Sequence, residues 1–332
     1  MVTLYTPLVA IVAGIVCGAF YVIGLSYSLW GMFLVLCSPL PIYIAGLKWG
    51  SLASGMAGIF AVMGVVIFGD LLLASVFSIA FVMPAFLLAH LATQPVGGTR
   101  ETPQWLSAAG LTQALLIIGL LQVVTATVAV SMTDGGLTGT IRSNLSLLLE
   151  TIYGARSSHG PDAVTDVVDI VDFWGALVLG AILAVIAMTH ATMGTLAQGL
   201  VASNTTPLRP SPSFWRLRLP AWPAILAMLL GLTVFILDTI SDGPSDSLCF
   251  LIYLFSGFFL VLCVGFLLQG LAVLHALTRG MGAQPFILAG SYMVVLVFQP
   301  FGAMVFAAIG FAERWANFRE RFGVDLDTSM ED

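Results

Sequence analysis

Apolar positions along this chain do not alternate with polar ones. They run in blocks of spanning length from Tyr5 to Phe311. A lipid interior offers the backbone no hydrogen-bond partner, so only helices or closed barrels cross it. A barrel strand would alternate apolar and polar residues over about ten positions, whereas a block such as Leu71–Ala92 is apolar almost throughout. The blocks therefore predict helical spans at 5–25, 29–47, 50–69, 71–92, 105–131, 173–199, 221–239 and 248–275, with a last apolar stretch at 285–311. Proline removes a backbone donor and clashes with the preceding turn. Pro300, in the middle of that last stretch, therefore predicts a hairpin of two short helices; the alternative is one kinked span. The expected fold is an all-α polytopic transmembrane bundle of about eight full spans plus this C-terminal hairpin. It is read as a single domain over 1–321 with a short acidic tail at 322–332.

Composition agrees with lipid as the solvent. Hydrophobic residues make up 59% of the chain and charged residues 8%, and mean hydropathy is +1.04. A soluble domain carries roughly 25% charged residues. The net charge of −6 says little about partners, because orientation follows the placement of Lys and Arg. The first residues carry no Lys or Arg, so a removable signal peptide is not expected. All seven tryptophans, Trp30, Trp49, Trp105, Trp174, Trp215, Trp222 and Trp315, fall at or near predicted span ends, where the indole ring prefers to sit.

The connecting loops alternate in basic content. Lys48, Arg100, the group Arg209, Arg216 and Arg218, and Arg279 mark one set. By the positive-inside rule that set faces the cytoplasm, and both termini follow it. The outer loop, 132–172, carries two amphipathic stretches expected as surface or capping helices. In 141–153 the apolar stripe is Leu145, Leu148, Leu149 and Ile152. In 162–174, Asp162, Asp166, Asp169 and Asp172 face away from Val164, Val167, Val168 and Val171. An acidic stripe of that kind is ordinarily a solvated face.

Chemistry-bearing motifs are scarce. Cys17, Cys37, Cys249 and Cys263 lie inside apolar runs with no metal-ligand spacing, so neither a disulfide nor a zinc site is expected. Asp70 and Asp238 fall at outer span ends, and His90, His190 and His275 toward inner ends. No carboxylate or lysine stands clearly at mid-membrane, which argues against a central proton relay. There is no P-loop, dinucleotide fingerprint, nucleic-acid module or G-x-S-x-G turn, so no cofactor, nucleic-acid partner or enzymatic activity is expected. Candidate cavity residues come from broken helices and buried amides. Ser38, Pro39 and Pro41 interrupt the second span and Pro84 the fourth, and a cavity near Ser38, Tyr43 and Pro84 would satisfy the freed backbone. Gln113, Gln122, Gln269 and Gln299 either pair with one another or meet a polar ligand. Ala10, Gly14 and Gly18 share one helix face, suited to close packing within the chain or to docking another subunit.

Two segments resemble a known family. One is Arg216-Leu-Arg-Leu-Pro220. The other begins with Gln269-Gly-Leu-Ala-Val-Leu-His275 and ends with Gly310-Phe-Ala-Glu-Arg-Trp-Ala-Asn-Phe-Arg319. Together they resemble the YybS-like bacterial inner-membrane proteins, with Gln269, Gly270, His275 and Arg319 as the motif residues. That family is uncharacterised. It is distantly similar to the solute-binding subunits of energy-coupling factor transporters, which bind small solutes and dock on an energising partner. The resemblance implies a membrane subunit that binds or moves a small solute and lacks its own nucleotide site. The alternative expectation is a scaffold subunit of a membrane complex, whose partners are the bilayer and another membrane subunit.

Overall fold

The computed structural model describes residues 6–323, apart from 27, 100, 138, 141–142, 144–161, 205–206 and 241–245. For 162–174, 238, 240, 246 and 247 it describes the backbone only. The fold is an all-α polytopic bundle. Among the described residues, seven helices are long and apolar enough to cross a membrane, and the shorter apolar helices are Ala221–Leu237 and Gln284–Val297. The helical elements in chain order are α1 (Thr6–Gly24), α2 (Leu29–Cys37), α3 (Leu40–Trp49), α4 (Ser51–Phe68), α5 (Leu71–Phe77), a π-helical turn (Ser78–Val82), α6 (Met83–Thr93), α7 (Ala108–Ser131), α8 (Asp162–Asn204), α9 (Ala221–Ile240), α10 (Asp246–Leu277), α11 (Gln284–Val297), α12 (Phe301–Ala316) and α13 (Phe318–Arg321); α2 with α3, and α5 with the π-turn and α6, each make up one of the seven spans. A small antiparallel ribbon, β1 (Pro95–Gly98) with β2 (Pro103–Trp105), joins α6 to α7.

The chain forms two compact units. The first comprises 1–118, 186–219 and 265–332; the second comprises 119–185 and 220–264. In the second unit small residues permit close packing. A Cβ on Gly119 would meet Val261, one on Gly257 would meet Val123, and one on Gly180 would meet Gly257 and Leu260. Leu137, Ala176 and Tyr253 form its apolar cluster.

In the first unit, Ala10, Gly14 and Gly18 face α4, and all three are buried. A Cβ on Gly14 would lie 2.5 Å from the Ala57 carbonyl oxygen, and one on Gly18 would lie 2.9 Å from that of Ala61. Backbones approach this closely only where side chains are minimal. The small-residue face is thus occupied within the chain.

Where the spans break, the local chemistry is visible. Ser28 caps α2 by accepting the Gly31 amide, and Asp70 caps α5 by accepting the Leu73 amide. Ser38 and Pro39 separate α2 from α3. The last apolar stretch is the expected hairpin: α11 and α12 meet across a turn at Phe298–Pro300, and Gly302 sits against the backbone of Val294 and Val295. Arg319, just beyond α12, donates to the Trp215 carbonyl at 3.0 Å. The described end of the chain therefore lies against the basic 207–220 loop, as a hairpin requires.

One expected element takes a different form. The stretch 162–174, read as a separate surface helix, is the first part of α8, a continuous helix of 43 residues. No proline lies between Asp162 and Asn204 to end it. The stripe at Leu145, Leu148, Leu149 and Ile152, and the tail beyond Gly323, lie outside the described residues.

Candidate functional site

The first unit holds a half-open cavity of about 340 Å³, within the size range of ligand pockets, about 300–1,000 Å³. Tyr43 and Leu47 of α3, Leu88, Ala89 and Ala92 of α6, and Ala108, Leu111, Thr112 and Leu115 of α7 form part of its wall. Helix α8 contributes His190, Ala191, Gly194, Thr195, Gln198 and Gly199. This i, i+1, i+4 rhythm puts all six on one helical face. From His190 to Gln198 that face runs about 12 Å along the axis at 1.5 Å per residue. Arg209, Ser211, Pro212, Phe214 and Leu217 close the cavity from the connecting loop.

At one end His190 organises the wall. Pro84 has no N–H, so it cannot serve the carbonyl four residues earlier, that of Ala80. The backbone there widens into the π-turn, and His190 Nε2 lies 2.9 Å from the Ala80 oxygen. A carbonyl can only accept, so Nε2 carries the proton. In the neutral ring Nδ1 then accepts from the Tyr43 hydroxyl, 3.0 Å away. The Ala80 carbonyl that Pro84 leaves free, His190 and Tyr43 are thus joined in one chain of hydrogen bonds. The arrangement contains no carboxylate, so it lacks the orienting acid of a hydrolytic triad. Gly194, one turn on, lets α8 lie against the Tyr43 ring; a Cβ there would sit 3.6 Å from the ring.

The other end is polar. Gln198 Nε2 donates to Ser211 Oγ at 3.3 Å. Arg209 is 4% exposed. Its Nε donates to the Pro210 carbonyl at 3.1 Å and its Nη1 to the Ala92 carbonyl at 3.0 Å. Burial draws the guanidinium pKa below its ordinary value, yet arginine stays a cation at neutral pH. Thr112 and Thr195 return their hydroxyls to carbonyls of their own helices, which leaves the lateral wall largely apolar.

Of the residues singled out in the sequence, Tyr43 lines this cavity. Ser38 is fully buried, with its Oγ unpartnered among the described residues, and Pro39 and Pro84 are buried near the helix breaks they cause. Pro41 lies in the first turn of α3. Gln113 donates to the Ala109 carbonyl of its own helix, and Gln122 is buried in the second unit. Gln299 is exposed in the hairpin turn. Arg209, Gln198 and Thr112 were not singled out. The available signal was the stripe His190, Gly194 and Gln198 at a spacing of four, followed by an arginine within a short non-helical loop.

The motif residues gather elsewhere in the first unit, in a clasp that fixes the loop beneath the cavity. Gln269 Oε1 accepts the Leu219 amide and Nε2 donates to the Gly310 carbonyl, each at 2.6 Å. Both groups of this amide are thus committed to backbone. Gly270 and Gly310 let α10 and α12 cross in backbone contact. Arg319, fully buried, pairs with Glu313 at 3.0 Å and donates to the carbonyls of Trp215 and Leu217. His275 Nε2 lies 3.0 Å from the Tyr292 hydroxyl, and its ring stands edge-on to Phe214. Residues 216–219, 269–277 and 310–319, distant in sequence, thus come together in the first unit. Leu217, held by Arg319, also lines the cavity.

Fold and composition together define an integral membrane protein with several helical spans. No family model matches the chain, and neither a curated protein nor a solved structure matches it.

Proposed function

We propose that the protein is a solute-binding membrane subunit of a small-molecule transporter, with the cavity of the first unit as its binding site. The observation that carries this reading is the cavity itself: an apolar chamber of ligand size with a few convergent polar groups at its ends. The loop that closes it is fastened by buried hydrogen bonds from Gln269 and Arg319, as a preformed site requires. The basic loops face the cytoplasm of a bacterial inner membrane, with both termini inside, because loops rich in Lys and Arg are retained there. On this orientation the Arg209 end of the cavity lies at the cytoplasmic face. Energy for any transport step comes from a partner. The YybS-like resemblance fits this reading, since the segments that carry it build the clasp under the site. The small-residue face of α1, which would have suited a docking or scaffold role, is taken up by α4.

Accessibility tests the proposal. Thr195→Cys, introduced with the four native cysteines replaced by serine or alanine, should react with a membrane-impermeant thiosulfonate applied from the side of the basic loops. Labelling from that side of oriented vesicles is the expected result. A thiol that resists reagent from both faces would mean sealed packing rather than a binding chamber.

A further inference from the structure

The cavity holds a cation without an anion. Among the described residues no carboxylate lies within ion-pair distance of Arg209, and its Nη2 has no hydrogen-bond partner. The carboxylates whose side chains are described are engaged or placed elsewhere. Asp70 caps α5, Glu313 holds Arg319 and Glu320 holds Arg218; Glu101 and Asp134 are exposed. A buried charge that lacks a counter-ion is expensive, and two backbone carbonyls offset only part of that cost. The planar guanidinium fork suits a carboxylate or phosphate, each of which can accept two parallel bonds. Beside it, the Ser211 hydroxyl accepts from Gln198 and keeps its own proton for a second acceptor. Away from this end the wall is Leu47, Leu88, Leu111, Leu115 and Phe214, continuing to Tyr43 and His190, whose polar atoms are turned to each other and to Ala80. A fully polar anion would leave that wall unfilled, and a neutral apolar molecule would leave Arg209 uncompensated.

We infer that the cavity takes an anionic amphiphile, with a carboxylate or phosphate head on Arg209 and Ser211 and a single short apolar tail lying along α8 toward Tyr43 and His190. The inference rests on the binding-site reading above and names the ligand class for it.

The test uses the full chain in phosphatidylcholine nanodiscs and four probes of equal tail: octanoate, octyl phosphate, octanol and octylammonium. Both anions should bind about tenfold to a hundredfold more tightly than octanol, the worth of one charge-assisted hydrogen bond, and octylammonium more weakly still. Arg209→Gln should bring the anions to the level of octanol and leave octanol unchanged. Arg209→Lys keeps the charge, loses the fork and should fall between. Octanol or octylammonium binding the wild type as tightly as octanoate overturns the inference, whether or not the variants fold, and leaves the binding-site reading standing. Binding of none of the four also overturns it, and the site reading then depends on the Thr195→Cys labelling. Adding phosphatidylglycerol identifies the source of a supported head group. Competition with octanoate points to a lipid head, and indifference to a free acid.

Discussion

Glu313→Gln should destabilise the folded protein by about 3–5 kcal/mol, the cost of leaving one member of a buried ion pair without its partner. Glu313 and Arg319 are both 0% exposed. The glutamate does two jobs: Oε1 takes the Arg319 Nε–H at 3.0 Å and Oε2 takes the Phe318 amide at 2.8 Å. The second bond holds the turn at Asn317, whose φ of 46° is a left-handed conformation that asparagine tolerates better than most residues. The arginine passes the effect on, because its Nη1 and Nη2 serve the carbonyls of Trp215 and Leu217 in a segment with few helical partners of its own. Glutamine keeps the shape and one acceptor but strands a buried guanidinium. The thermal midpoint in mild detergent should fall well below that of the wild type. Replacing both residues together, Glu313→Leu with Arg319→Met, should recover part of the loss, since removing both charges removes the stranded one. An unchanged midpoint for Glu313→Gln would mean that the pair does not hold the clasp.

Gly310→Ala should cost about 2–5 kcal/mol, from overpacking together with a strained buried hydrogen bond. A Cβ at Gly310 would run into the Phe266 carbonyl and stand 2.6 Å from the Gly270 amide nitrogen. Both obstacles are backbone, so neither can rotate aside, and α10 and α12 must separate. Separation stretches the bond from Gln269 Nε2 to the Gly310 carbonyl, now 2.6 Å, and with it the grip on Leu219. Gly290→Ala in α11 is the control, because nothing lies within 4 Å of a Cβ there. It should be neutral or mildly stabilising, as alanine is favoured over glycine inside a helix. Unfolding in mixed micelles of increasing sodium dodecyl sulfate content separates the two. Equal midpoints for the two variants would contradict the glycine-to-glycine crossing.

The spans were legible because continuous apolar runs have one solution in lipid, and the hairpin because Pro300 interrupts the last of them. The site was legible only at Tyr43. Arg209 reads in sequence as one more basic loop residue marking a membrane face. Its burial depends on α6 offering the Ala92 carbonyl and on α7 and α8 walling the space, which no local pattern encodes. Pro84 was visible as a break, but which donor answers the freed carbonyl depends on a histidine brought in by α8. Gln269 shows the reverse limit. A buried amide announces that it needs partners without saying whether they are ligand or backbone, and here they are Leu219 and Gly310. Ala10, Gly14 and Gly18 announced a close helix crossing without naming α4 as the other helix.

Native mass spectrometry of the protein released gently from its own membrane tests the binding site most directly, with Gly194→Leu as the comparison. That substitution projects into the cavity from a position where a Cβ meets only the Tyr43 ring, at 3.6 Å, so it fills the chamber without pushing on backbone. The account predicts a small acidic molecule bound to the wild type in a fixed ratio and absent from Gly194→Leu. A bound molecule retained equally by the filled variant, or a wild type that carries none and gains none when its membrane extract is added back, would contradict it.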